Sequence, residues 1–383
     1  MKKKVCIFCS LSSFNTGMPI STYKLAAGLV ENGRFDVCAV LPKEGELSKR
    51  MRGAGVRVDV VPFRRLRGNL ISLMFFLLMY LPAGFRLYRY IKKNGIDIVH
   101  FSDIIDAPFY PIAKIAGAKI VAHVRVCAGG AAVRYLFRLW TTFFCSRIIT
   151  VSKFVKDYYG FDDKRASVVY NPGPDRTIFA IDKREQNAAD TTPTVLTVAS
   201  FRRDKGHHNF LKIASKIKDR LNTPIKFVIA GGKVKGHENY YREMTVYAHS
   251  LGLDGSLTIT GNIPHEQIPS IMAEAAVLLH VPDWEEALGG VILEAMAMGV
   301  AIVAYDSGGV GECFTNDNSG FLIGRGRIDD AVDKTVLLLT DNSLKDRIVS
   351  EAHKDLDAKF SMARYIGGVE KIYDDIRRVR ALF

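Results

Sequence analysis

Along the chain, short runs of β-branched and apolar residues alternate with longer stretches whose apolar positions recur every three or four residues. The first pattern belongs to buried parallel strands and the second to helices packed on one face. Their alternation from end to end predicts an α/β fold with parallel sheets. In the first half, strands are expected at 5–10, 37–41, 56–61, 98–100, 119–123, 148–151 and 167–170. In the second half they are expected at 195–199, 226–230, 257–260, 277–280, 301–305 and 321–323. The polar stretch "AIDKREQNAADTTP" separates the two series and reads as a linker. A last helix, roughly 362–382, carries Ile366, Val369, Ile372, Tyr373 and Ile376 as a stripe that must pack against something.

A chain of 383 residues exceeds what one hydrophobic core usually holds, so two domains are expected. The division is 1–178, a linker over 179–194, and 195–361, with the helix 362–383 packing back on the first domain. Strand ends in the second half run into Gly231-Gly232, Gly261-Asn262 and Gly308-Gly309. Such turns let backbone N–H groups approach a ligand, and ligands of open α/β sheets bind at the carboxyl ends of strands. Two domains of this type in series imply a cleft.

Charge divides the chain in the same place. The net formal charge is +13, yet residues 1–175 hold 27 Lys and Arg against 12 Asp and Glu, a net +15, and the remainder holds 26 against 28, a net −2. No acid lies between Asp59 and Asp97 or between Asp106 and Asp157. A field of that sign attracts nucleic acid, anionic lipid or a phosphorylated substrate. The most apolar run, "LISLMFFLLMYL" at 70–81, is flanked by Arg64, Arg65, Arg67, Arg86, Arg89, Lys92 and Lys93. As a helix it spans about 18 Å, too short for a bilayer core of about 30 Å. It reads either as a helix in the membrane interface or as a buried connecting helix with a solvated basic end. The similar "RYLFRLWTTFF" at 134–144 favours the membrane. The opening MKKKVCIFCSLSS has a basic start but a short apolar part and no A-x-A-like cleavage site, so a strand is expected there and not secretion. Six scattered cysteines point to a reducing cytoplasm. The only C-x-x-C, Cys6 and Cys9, is expected to be core, since a strand turns those thiols to opposite faces.

The stretch "DWEEALGGVILEAMAMG", 283–299, carries the chemistry. Glu286 and Glu294 enclose seven uncharged residues, with Leu288, Gly289 and Gly290 at the expected start of a helix over 290–298. A helix start preceded by glycine is an anion site. Carboxylates repel phosphate and accept hydrogen bonds from hydroxyls. An anion site between two hydroxyl acceptors suits a nucleotide-sugar, with ribose on one side and hexose on the other.

This stretch, with "AIVAYDSGGVGE" after it, resembles the retaining E-x7-E glycosyltransferases, the glycogen-synthase-like and sucrose-synthase-like group called family 4. The matching residues are Glu286-Ala-Leu-Gly289, Glu294-Ala-Met-Ala-Met-Gly299, Ala301-Ile-Val-Ala304, Gly308-Gly309 and Glu312. "VASFRRDKGH", "VSKFVKDYYG", "VVYNPGPDRTIF", "DIVHFSD" and "KIVAHVR" extend the likeness over nearly the whole chain. The resemblance implies the GT-B fold, two Rossmann-like doubly wound domains facing across a cleft. It implies that Glu294 binds the donor ribose, that Glu286 holds hydroxyls of the donor sugar, and that Lys205 binds the diphosphate. It places His123 near the donor sugar, Gly17 in a turn near the phosphate, and Gly308, Gly309 and Glu312 beside the donor. Ser200 stands where the family has an arginine, leaving Arg202 or Arg203 to supply that charge. Ala301 replaces a usual proline, and the loop Asn15-Thr16-Gly17-Met18 lacks a double glycine. His100 and Arg125 are candidates for the acceptor, and His207 and His208 are expected on a loop surface.

Bond cleavage puts negative charge on the departing diphosphate, which Lys205 and a neighbouring arginine can stabilise without a metal. No D-x-D stands at a strand end, so neither metal nor other cofactor is expected. The reading is a glycosyltransferase acting on a lipid-linked glycan acceptor for bacterial surface polysaccharide, at the inner face of the cytoplasmic membrane. Two alternatives stay open: a soluble nucleotide-sugar epimerase or sugar-phosphate transferase, and a non-catalytic basic module. No nucleic-acid recognition motif supports nucleic acid as a partner, and no G-x-G-x-x-G follows the first strand of either half.

Overall fold

The computed structural model describes residues 2–14, 16–63, 65, 70–180 and 192–378, with backbone alone for 70–73 and 377–378. Asn15, Arg64, Arg67 and linker residues 181–191 lie outside the described residues. The chain forms two compact units, one of residues 1–172 with 362–383 and one of residues 173–361.

The first unit holds strands β1 (Lys3–Phe8), β2 (Phe35–Leu41), β3 (Arg57–Val60), β4 (Ile98–Phe101), β5 (Lys119–Val124), β6 (Arg147–Thr150) and β7 (Ala166–Val168). All pair in parallel in the order β3-β2-β1-β4-β5-β6-β7, a doubly wound sheet whose order reverses between β1 and β4. Four apolar runs make this possible: β1, β2, β4 and β5 are buried nearly throughout. Cys6 and Cys9 are buried free thiols. Helix Met362–Arg378 lays Tyr365, Ile366, Val369, Ile372, Tyr373 and Ile376 into this unit's core. Gly28 of helix Gly17–Asn32 lets Ile366 in, since a Cβ there would lie 2.6 Å from its Cδ1.

Two helices of this unit leave apolar faces uncovered. Helix Leu70–Asn94 exposes Met74, Leu77, Leu78, Leu81 and Phe85, and helix Ala131–Phe144 exposes Val133, Leu136, Leu139, Trp140 and Phe143. Tyr80 donates to the Pro108 carbonyl and Trp140 Nε1 to the Ala107 carbonyl, so both helices flank one short turn, Ile104–Phe109. The apolar run is thus part of a longer helix, and it is not a buried connector. Among the described residues, no helix is long and apolar enough to cross a membrane.

The second unit holds β8 (Thr194–Val198), β9 (Lys226–Ala230), β10 (Leu257–Ile259), β11 (Val277–His280), β12 (Ala301–Tyr305) and β13 (Phe321–Ile323). They pair in parallel in the order β10-β9-β8-β11-β12-β13, reversing between β8 and β11. The wholly buried β11 and β12 form the centre of its core with Phe201, Phe210 and Phe227. Both units therefore repeat the α/β, doubly wound plan expected from the sequence.

Candidate active site

In the second unit, the loops after β8, β11 and β12 converge at the carboxyl edge where the strand order reverses. After β8 the chain makes a short turn, Arg203–Lys205, and enters helix His207–Arg220 through Gly206. Gly206 has φ +68°, and a Cβ there would lie 1.9 Å from the Val281 carbonyl oxygen. Only glycine satisfies both conditions. That close approach sets Lys205 against the chain leaving β11, where Asn209 Nδ2 bonds Asp283 at 2.8 Å.

The loops after β11 and β12 are bound to each other. Glu286 bridges Gly308 in parallel, and Gly309 N–H donates to the Glu286 carbonyl at 2.8 Å. Ser307 Oγ donates to the Trp284 carbonyl at 2.6 Å. Gly308 takes φ +64°, ψ −122°, a conformation that glycine supplies. Glu286 then meets Lys205, with Nζ to Oε1 at 2.5 Å. Glu312 closes the short turn Gly309–Glu312 that follows Gly308.

Helix Gly290–Ala297 begins where this loop ends, with Gly289 as its N-cap and no acid in its first turn. Leu288, one residue earlier, accepts from Gly290 N–H at 3.0 Å. Gly290 is exposed, and a Cβ there would meet nothing within 4 Å, so the helix start opens onto free space.

Glu294 points back from the helix to His265, whose Nε2 lies 2.9 Å from Oε1. His265 follows Pro264 in the loop after β10, and its ring contacts Phe179 at 5.4 Å. The sequence reading missed His265; its one signal was its position just past Gly261-Asn262 at a strand end. His280, the last residue of β11, was also missed. It is buried, its Nε2 has no partner among the described residues, and burial pushes its pKa down to about 4.

The structure thus gathers Lys205, Glu286, Leu288, Gly289, Gly290, Glu294, Gly308, Gly309 and Glu312 on one edge of one sheet. Arg202 and Arg203 lie in the same loop, but each holds a carboxylate of its own. Arg202 grips Asp204 with two bonds of 2.9 Å, and Arg203 pairs with Glu243 at 2.6 Å while lying over the Tyr240 ring. Glu285 turns away and pairs with Arg325 at 2.6 Å. His207 corrects the expectation of a loop surface: it is buried, stacked on Phe201 at 4.2 Å, with its pKa lowered to about 4 by burial.

The remaining candidates belong to the first unit. Gly17 is exposed at the start of its helix. His100 and His123 end up inside, at 0% exposure, with His100 Nε2 3.2 Å from His123 Nδ1 and Tyr373 Oη 2.7 Å from His100 Nδ1. Burial holds both imidazoles neutral, with pKa values well below the usual range. With Tyr373 as donor, the chain of bonds makes His123 Nε2 an N–H donor, and that atom has no partner among the described residues. His100 therefore has no ring nitrogen left for an acceptor, and the expected contact is corrected to an internal one. Arg125 is likewise turned inward: its Nη atoms bond the Ser102 carbonyl and, at 3.1 Å, the Tyr365 hydroxyl. It braces the ends of β4 and β5 against helix Met362–Arg378.

Comparison with known proteins agrees with this layout. Residues 15–172 match Glycosyltransferase Family 4, and residues 179–355 match Glycosyl transferases group 1. An alpha-D-kanosaminyltransferase of Streptomyces kanamyceticus is 32% identical over 50% of this chain and 48% of its own, so the chain spans about half the length of that relative. A glycosyltransferase of Methanocaldococcus jannaschii is 25% identical over 75% of this chain and 77% of its own. The crystal structure of Anabaena HepE in complex with UDP shares the fold, with a TM-score of 0.81 at 18% identity, covering 98% of this chain and 100% of that one. Family 4 is thus matched in the first unit and group 1 in the second, and the fold of the chain is the two-domain GT-B fold.

Proposed function

We propose that the protein is a retaining glycosyltransferase that takes a sugar from a nucleotide-sugar and needs no metal. The observation that carries this reading is the pairing of Lys205 with Glu286 beside the open start of helix Gly290–Ala297. A diphosphate at that helix start meets the positive end of the dipole at an exposed glycine. Lys205 then exchanges part of its bond to Glu286 for the phosphate oxygens, and Glu286 is released to accept from sugar hydroxyls. As the bond from the anomeric carbon to the diphosphate oxygen breaks, Lys205 and the helix N-terminus hold the charge that develops there. The acceptor oxygen bonds to the anomeric carbon on the face the diphosphate leaves, and its proton passes to the departing diphosphate. Glu294 serves the ribose.

The acceptor in this reading is a lipid-linked glycan of bacterial surface polysaccharide, met at the inner face of the cytoplasmic membrane. The uncovered apolar faces of helices Leu70–Asn94 and Ala131–Phe144, in the half of the chain with net charge +15, support that placement. The test is a panel of UDP-, GDP- and ADP-sugars with lipid-linked acceptors, followed by release of the nucleoside diphosphate. Activity that survives EDTA, retains anomeric configuration and collapses in Glu294→Ala is expected. Failure to bind any nucleoside diphosphate overturns the reading.

A further inference from the structure

We propose that His265 is a positioning residue that orients Glu294 for the donor ribose; this rests on the nucleotide-sugar reading above. Glu294 stands on helix Gly290–Ala297, and His265 stands on the loop after β10, 29 positions earlier in the chain. The two meet because the ends of β10 and β11 lie on the same edge of one sheet. Their bond is short, 2.9 Å, and the Glu294 side chain is only 19% exposed. His265 is fixed from a second direction by the ring of Phe179, which is buried. An imidazole held by a ring contact on one side and a carboxylate on the other is an oriented donor.

Glu294 Oε1 takes the bond from His265, while Oε2 has no hydrogen bond among the described residues. A carboxylate has about four lone-pair sites, so one bond leaves room for both hydroxyls of a ribose diol. What the bond removes is rotation. A free glutamate loses rotamer freedom when it clasps a diol, and ordering such a side chain weakens binding. His265 makes that loss before the ligand arrives. An exposed ion pair without a role at the ligand gives the same bond, so the test must read the ribose itself.

The experiment measures binding of UDP, GDP and ADP, and of their 2′,3′-dideoxy forms, by titration calorimetry to the full chain. Four proteins are compared: wild type, Glu294→Ala, His265→Ala and His265→Gln. The wild type and His265→Gln, whose amide nitrogen reaches the place of Nε2, are expected to prefer the ribose ligand. His265→Ala is expected to bind the ribose ligand about 3- to 10-fold more weakly and the dideoxy ligand as the wild type does, so the preference shrinks. If Glu294→Ala loses the preference while His265→Ala keeps all of it, the inference falls and the donor reading stands. If Glu294→Ala binds both ligands as the wild type does, the carboxylate does not serve ribose. The inference then falls together with that role of Glu294, while nucleoside diphosphate binding still supports the donor reading.

Discussion

Lys205 Nζ and Glu286 Oε1 lie 2.5 Å apart, although 81 positions separate the residues and each comes from the loop of a different strand. Both side chains are about a quarter exposed or less, at 25% and 21%. At that exposure the attraction within the pair is largely offset by the cost of taking both charges out of water, so the pair adds little net to folding, and its reason lies in the site. Lys205→Met is therefore expected to lower the transfer rate about 100- to 1000-fold while moving the melting temperature by only a few degrees. Steady-state transfer assays and thermal unfolding measure the two effects. A variant with the wild-type rate removes Lys205 from the leaving-group role.

Two glycines near this pair separate packing from ligand space. Gly206→Ala puts a Cβ into the Val281 carbonyl at a φ of +68°, so the turn carrying Lys205 must shift. Backbone strain of this kind costs about 1–3 kcal/mol, and the overlap adds to it. Gly290→Ala meets nothing within 4 Å. It is expected to leave the melting temperature unchanged or slightly raised, and to weaken nucleoside diphosphate binding because the methyl group stands where the phosphate approaches. Unchanged binding in Gly290→Ala places the phosphate elsewhere.

The strands were legible because parallel sheets buried on both faces need uninterrupted apolar runs, and every expected strand is present within two residues of its expected bounds. The E-x7-E stretch was legible for a different reason: loop, helix start and both carboxylates are local in sequence. Contacts made by converging loops were not. Nothing near His265 in the sequence announces Glu294, and the polar setting of His207 hides that Gly206 turns the next helix inward onto Phe201. His100 was misplaced for the same reason, since its partner Tyr373 comes from the last helix, 273 positions away.

Acid is expected to loosen the second unit. Burial lowers His207 and His280 to about 4 from an ordinary value of 6.5, so the folded state binds fewer protons than the unfolded chain between those values. Their contribution is complete above pH 6.5 and is lost as pH falls toward 4, up to about 3 kcal/mol each. In the first unit, Asp103 and Asp106 are raised by burial to about 6 and about 7. Their contribution has the opposite sign: it is present below the ordinary carboxylate range and fades as pH rises through 6–7. Calorimetric melts between pH 7 and 4.5 should show a falling transition for the second unit, and His207→Phe should flatten that fall. A pH-independent transition excludes the buried histidines as its cause.

The apolar faces of the first unit make the last prediction. Leu78 and Leu81 are 71% and 76% exposed on helix Leu70–Asn94, so neither supports the fold. A leucine moved from water into an apolar phase gains about 1.5–3 kcal/mol, and a charge in its place forfeits that gain. The double variant Leu78→Glu, Leu81→Glu is therefore expected to sediment with phosphatidylglycerol vesicles at least about 10-fold more weakly than the wild type, with an unchanged melting temperature. The basic residues Arg86, Arg89, Lys92 and Lys93 on the same helix predict weaker binding to phosphatidylcholine vesicles and a loss of binding at high salt. Equal sedimentation of wild type and variant rejects this face as the contact. A wild type that leaves vesicles in solution but dimerises through these leucines assigns the face to a second copy of the chain instead.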